Sequence, residues 1–174
     1  MNKFPNFEEV TLPHMTAAYN LARWLTRDDH DAQDVVQEAY LRALKFFGGF
    51  RGGDGRSWLL RIVRNTCYTW LKRNRPGETI DVSDEEAGAI QSTDLNPEAR
   101  MLQQSNAEQL QQALEELPVE FREVLILREL EGLSYKEIAD ISDVPIGTVM
   151  SRLARARTRL QLRLAGSLYK EAAG

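Results

Sequence analysis

The sequence predicts an all-α protein of two small helical domains joined by an acidic flexible linker, the second domain containing a helix-turn-helix. Three observations predict it. Apolar residues recur at three- and four-residue steps through nearly every patterned stretch, the period of a helix with one buried face. No stretch shows the sustained alternation of a strand. Residues 76–99 are acidic, carry Pro76 and Pro97, and hold no sustained period, which leaves helical blocks of about 1–75 and 100–174 on either side.

The composition supports folded cores. Of 174 residues, 43% are hydrophobic, too many for global disorder. The lone Cys67 rules out an intramolecular disulfide and fits a reducing compartment. The two histidines, His14 and His30, have no cysteine cluster beside them, so no zinc set is expected, and no cofactor. No apolar run approaches the roughly 20 residues of a membrane span, and the N-terminus has no apolar signal core. The expectation is a soluble, cytoplasmic chain.

The net charge of −4 hides a strong asymmetry. From Arg42 to Arg75 there are nine Lys/Arg against Asp54 alone; from Pro76 to Glu98 there are seven acids and no base. From Met150 onward six Lys/Arg face only Glu171. Two basic blocks around an acidic one suit two anion-binding modules, because fields act locally, within about 10 Å at ordinary salt.

Taken in order, the first predicted helix is TLPHMTAAYNLARWLT, with Leu12, Met15, Tyr19, Ala22 and Leu25 on one face. DDHDAQDVVQEAYLRALKFF follows, with acids in the first turn where the helix dipole favours them; Val35, Ala39, Leu41/Arg42 and Phe46 supply its inner side. GGFRGGDG interrupts, five glycines in eight residues. RSWLLRIVRNTCYTWLKRNR resumes, with Leu59, Ile62, Val63, Thr66 and Trp70 inward. Beyond the linker, helix returns near Pro97 and runs through ARMLQQSNAEQLQQALEEL. Pro118 then opens PVEFREVLILRELE, which Gly132 closes.

Ser134 and Glu137 form a capping box, so a helix starts at Tyr135, with Ile138, Ala139 and Ile141 as its apolar face. SDVP ends it, and Pro145 suits the first turn of the next helix. Two short helices so joined make a helix-turn-helix, whose second helix enters a DNA major groove. Asp143 stands at the turn position where glycine is usual, and aspartate tolerates the left-handed conformation. At about 100° per residue, Ile146, Leu153, Ala156, Leu160 and Leu164 fall within roughly 60° of Val149 and form the buried stripe. Thr148, Ser151, Arg152, Arg155 and Arg159 cluster away from it, with Arg157 apart. Hydroxyls beside guanidinium groups suit base edges and phosphates; a solvated amphipathic face is the plainer alternative.

The glycine loop is not a P-loop, since no GK[ST] follows and no strand precedes. It is either a flexible connector or, with Phe46, Phe47, Phe50, Arg51, Arg56, Trp58, Arg61 and Arg64 around it, a single-strand site where aromatics stack on bases. Phe46 and Trp58 are assigned to the core. Asp31, Asp34 and Glu38 share a helix face with Gln37, either solvated or an acidic patch for a basic protein partner. No nucleophile, base and orienter occur together, so no enzyme is expected. A simpler helix-turn-helix regulator with a sensing first domain is the competing reading, but a sensor does not need nine cations around an aromatic, glycine-rich loop.

DAQDVVQEAYLRAL, WLLRIVRNTCYTWLKRNR, ELPVEFREVLILRELEGLSYKEIAD and PIGTVMSRLARAR, in that order, carry a resemblance. The chain resembles bacterial RNA polymerase sigma factors of the extracytoplasmic-function type, group IV of the sigma-70 family, over nearly its full length. The resemblance implies that Asp34, Gln37 and Glu38 dock on the β′ clamp helices of core RNA polymerase. It assigns Phe50, Arg51, Arg56, Arg61, Arg64 and Asn65 to recognition and melting of the promoter −10 element, with capture of a flipped base. It assigns Lys136, Thr148, Ser151, Arg152 and Arg155 to the −35 element, and gives the second domain a contact with the β flap. The acidic linker is implied to thread toward the RNA exit path. An anti-sigma factor is the further implied partner, and this chain itself neither inserts into a membrane nor catalyses a reaction. Thr69 and Met150 depart from the family pattern, which usually has aspartate and frequently lysine there.

Overall fold

A computed structural model describes residues 5–78 and 107–173. The acidic stretch assigned as linker, from residue 79 on, and the helix start near Pro97 lie outside the described residues. Every regular element among the described residues is helical.

Helix α1 (Phe7–Thr11) opens on an unpredicted capping box, in which Asn6 and Glu9 exchange side-chain and backbone hydrogen bonds. The single helix expected from Thr11 onward is divided. Pro13 sits in a 3-10 turn at Leu12–His14, and α2 runs from Met15 to Thr26. Arg27, at φ 62°, ends α2 in the left-handed conformation. Asp28 caps α3 (Asp29–Phe46) by accepting from the Asp31 amide.

Asp54 caps α4 (Gly55–Asn74), accepting from the amides of Arg56 and Ser57. The Ser57 hydroxyl donates to the same carboxylate at 2.5 Å and, as the leading cause, lowers its pKa. Gly55 has a packing reason to be glycine: a Cβ there would lie 2.9 Å from Val10 Cγ1, so α1 could not abut the start of α4.

The second half comprises α5 (Ala107–Glu115), α6 (Val119–Leu125) continuing as a π turn at Ile126–Leu130, α7 (Tyr135–Ser142) and the long α8 (Ile146–Ala173). Gly132, at φ 65°, closes the π turn as expected.

In the first half α2, α3 and α4 pack mutually around Leu21, Leu25, Val35, Ala39, Leu59 and Val63. In the second, α8 takes α5, α6 and α7 against its buried stripe. The halves are not separate bodies on a string. Helix α4 packs on α7, α2 packs on α6, and the buried apolar residues of both halves form one connected cluster.

Four core assignments are corrected, beginning with Leu12, which is 58% exposed because it lies in the 3-10 turn that precedes α2. Phe46 is 58% exposed, with the Lys45 ammonium 5.6 Å from its ring. Phe47 takes its place, because the chain leaves helical phase in a 3-10 turn at Phe47–Gly49. Its ring meets Phe7 edge-on at 5.4 Å and Trp58 at 6.1 Å. Leu41 is exposed on α3, and Ile146 is exposed at the first residue of α8, one turn before the buried Val149. Trp58 is half-buried at the edge of the core.

Candidate nucleic-acid interface

The helix-turn-helix is built from local chemistry. The Ser134 amide donates to Glu137 Oε1 and the Glu137 amide to Ser134 Oγ, both at 3.1 Å, which fixes the start of α7. Asp143 takes φ 55° and ends it, so α8 begins three residues later. Val149, Leu153, Ala156, Leu160 and Leu164 are buried and hold α8 down. Around that stripe the candidate −35 residues differ in access. Lys136 is exposed; Thr148, Ser151 and Arg152 are half-buried. The Ser151 hydroxyl donates to the Gly147 carbonyl at 2.9 Å, and Arg155 is only 8% exposed. The other arginines of α8 have separate engagements. Arg157 pairs with Glu129 at 2.8 Å, Arg159 lies 4.9 Å over the Phe121 ring, and Arg163 pairs with Glu116 at 2.6 Å.

The glycine loop rises between α3 and α4. Gly52 and Gly53 adopt φ 88° and 93°, a region side chains other than glycine rarely enter. Phe50 is half-buried, stacked on Phe47 at 6.0 Å and tilted against Trp58 at 5.1 Å. A cleft of about 240 Å³ opens beside it, walled by Phe50, Glu9, His14 and the backbone of Gly52 and Gly53. Arg51 and Asn65 are exposed.

The remaining candidate −10 residues do not face open solvent alone. Arg56 lies 3.5 Å from Glu137, Arg61 3.9 Å from Asp143, and Arg64 2.7 Å from Glu123, and all three acids belong to the second half. Glu123 is the centre of this seam and is fully buried. Its Oε1 accepts from Arg64 Nε and, at 3.0 Å, from the Ser142 hydroxyl; its Oε2 accepts from the Tyr68 hydroxyl at 2.7 Å. The Arg64 guanidinium also lies 3.8 Å over the Tyr68 ring. Burial opposes the charge on Arg64, but Glu123 and Tyr68 overcome it and raise its pKa. Burial first, then Glu123, pushes the Tyr68 hydroxyl well above its ordinary value. Burial also raises the pKa of Glu120, whose charge Arg152 helps to hold.

Glu123 and Tyr68 were missed from the sequence. A signal for Glu123 existed, since it lies four residues from both Val119 and Leu127 on the buried phase of its helix. A carboxylate at that phase needs partners, but nothing local names an arginine 59 residues away.

On α3, Asp34 and Gln37 are exposed, and Glu38 is half-buried and paired with Arg42 at 2.8 Å. Asp31 leaves that group, turned onto Arg75 at 3.1 Å. Leu41 and Leu44, 61% and 52% exposed, continue the face at helical spacing and were also missed. Two exposed leucines beside acids and an amide suit a protein partner better than solvent or nucleic acid.

A family model described as Sigma-70 region 2 matches residues 12–76, and one described as Sigma-70, region 4 matches residues 107–160. The chain is 35% identical over 165 residues to the RNA polymerase sigma-H factor of Pseudomonas aeruginosa, covering 91% of this chain and 86% of that one. It is 41% identical over 135 residues to the ECF RNA polymerase sigma-E factor of Escherichia coli strain K12, covering 73% and 70%. The ECF RNA polymerase sigma factor SigE of Mycolicibacterium smegmatis is 34% identical over 92% of this chain, which spans 62% of that protein's length. Among solved structures, the sigma factor RpoE in complex with the anti-sigma factor NepR from Bartonella quintana superposes with a TM-score of 0.69. The identity is 29%, covering 91% of this chain and 96% of that one.

Proposed function

The chain belongs to the sigma-70 family, with relatives of the extracytoplasmic-function type, and from that premise we propose that it binds core RNA polymerase and directs promoter-specific initiation at −35 and −10 elements. The observation that carries the reading is the pairing of a helix-turn-helix with a basic helix beside an aromatic, glycine-turned cleft, in the order of the two matched regions.

The role of each surface follows from its chemistry. The α3 face of Asp34, Gln37, Glu38, Leu41 and Leu44 docks on the β′ clamp helices, acids against base and leucines against apolar surface. The second half contacts the β flap. Thr148, Ser151, Arg152 and Arg155, with Lys136 beside them, read the −35 element, arginine by the bidentate geometry that matches guanine. Arg51, Arg56, Arg61 and Arg64 hold the backbone at −10 while Phe50 and the cleft beside it take an unstacked base. To do so Arg56, Arg61 and Arg64 exchange the carboxylates of Glu137, Asp143 and Glu123 for phosphates, so α4 must part from α7. Docking on polymerase supplies that separation. The chain acts by binding, makes no bond itself, and works in the cytoplasm. An anti-sigma factor is a further partner, supported by the anti-sigma complex of the solved relative.

Run-off transcription with core polymerase on a randomised promoter pool tests the reading. The expected result is transcripts from templates that share two spaced elements, dependent on this chain. An absence of chain-dependent transcripts from any template contradicts it.

A further inference from the structure

A cleft of about 330 Å³ lies where the two halves meet, and its lining carries more positive than negative charge. Arg27 and Glu78 come from the first half; Glu116, Arg122, Arg159 and Arg163 come from the second. Glu116 pairs with Arg163, and Glu78 pairs with Arg27 through Oε1 while its Oε2 is shielded and accepts no hydrogen bond. Among the described residues, no carboxylate forms an ion pair with Arg122 or Arg159.

Arg122 is only 2% exposed. Its Nη1 donates to the carbonyls of Glu115 and Leu117 and its Nη2 to that of Leu25, which ties the two halves together. Its Nε is shielded from solvent and has no acceptor, and Arg27 Nε is in the same condition. A buried donor left without an acceptor costs stability. Burial, and then the neighbouring charge of Arg27, hold the Arg122 pKa down at about 10.

We propose that this cleft is a binding site for a compact polyanion of the phosphate class, with the diphosphate group as its best occupant. Guanidinium groups approach the volume from both halves, and a tetrahedral oxyanion offers acceptors in several directions at once, where a single carboxylate offers two in one plane. Arg122 and Arg27 supply unused donors, and Arg159 and Arg163 supply exposed guanidinium groups from the second half. Because the lining is shared, a ligand there favours the joined arrangement, the one in which Arg56, Arg61 and Arg64 are held by acids. Occupancy of the cleft therefore opposes promoter binding.

The test uses the full chain and inorganic pyrophosphate, titrated at constant ionic strength by calorimetry and by thermal melting. The site predicts saturable one-to-one binding, and a melting temperature about 5–10 °C higher at a hundredfold excess over Kd. Arg159→Gln, which gives up only the contact over the Phe121 ring, lowers unliganded melting slightly and weakens binding about tenfold. Arg157→Gln, on the same helix but outside the cleft, binds as the unaltered chain does. A non-saturating response, equal affinity in Arg159→Gln, or equal loss in Arg157→Gln would each overturn the site in favour of a diffuse positive field.

Discussion

The outer face of α3 and the outer face of α4 belong to the same three-helix bundle, yet they are in opposite states. On α3, Asp34, Gln37, Leu41 and Leu44 stand open to solvent, and Glu38 is engaged only by Arg42 of its own helix. On α4, Arg56, Arg61 and Arg64 lie within 4 Å of acids of the second half, and Arg64 is seated on a fully buried carboxylate. The face suited to a protein is ready, while much of the face suited to DNA is already holding substitute anions. Under the proposed function, a chain in this state meets polymerase directly and is opened before it meets a promoter. The proposed function then implies an order for the two binding events, protein first and nucleic acid second.

The comparison breaks most sharply at Glu123. Glu123→Ala strands Arg64 and leaves the Tyr68 and Ser142 hydroxyls without their acceptor, a change worth about 3–5 kcal/mol when a buried pair loses one member. Denaturant unfolding checks it, and a loss below about 1 kcal/mol would show that the seam contributes little to the joined state. On the open face, Leu41→Asp should weaken core polymerase binding by at least about 2 kcal/mol if the leucine is an anchor of the contact. Melting should barely move, because the side chain is exposed. Titration of labelled core enzyme reads this directly, and unchanged affinity removes Leu41 from the docking face.

How much of this was legible in sequence depends on the range of the interaction involved. The start of α7 was written in Ser134 and Glu137, and the left-handed turn at Asp143 in the spacing between two helical patterns; both are decided within four residues. The stripe Val149, Leu153, Ala156, Leu160 and Leu164 followed from helical period alone. Phe46 and Phe47 were exchanged because a 3-10 turn broke that period by one residue. The seam was not legible at all. Arg64 and Glu123, or Arg122 and the Leu25 carbonyl, are joined by packing between segments whose separation no local pattern encodes. For the same reason the burial of Arg155 was not foreseen: its angle on α8 was right for an outward face, but what lies across that face is a tertiary fact.

Arg155 supplies the next test. Its replacement by alanine should reduce discrimination between matched and scrambled −35 sequences by about 1–3 kcal/mol once polymerase is bound. An equal fall on both sequences would make it a phosphate contact. The smallest expected effect is on pH. Burial, with Glu123 second, raises the Tyr68 hydroxyl, and burial raises the Cys67 thiol. Both pKa values are higher in the folded chain than in the unfolded one. Their contribution is therefore fully present below the unfolded values, about 8.5 for thiol and about 10 for phenol, and is lost as pH rises through the folded ones. Melting temperature should fall from about pH 8.5 upward, and Tyr68→Phe should flatten the portion above about pH 10. A flat profile to pH 11 would deny that these groups are buried.

The order of events is tested most directly by fluorescence anisotropy of a promoter duplex and a scrambled duplex, each titrated with the free chain and with the chain bound to core polymerase. The account predicts that the free chain shows little preference between the two and that the polymerase-bound chain prefers the promoter strongly. A free chain that discriminates as well as the complex would contradict it, because the DNA-facing cations would then be available without any opening of the seam.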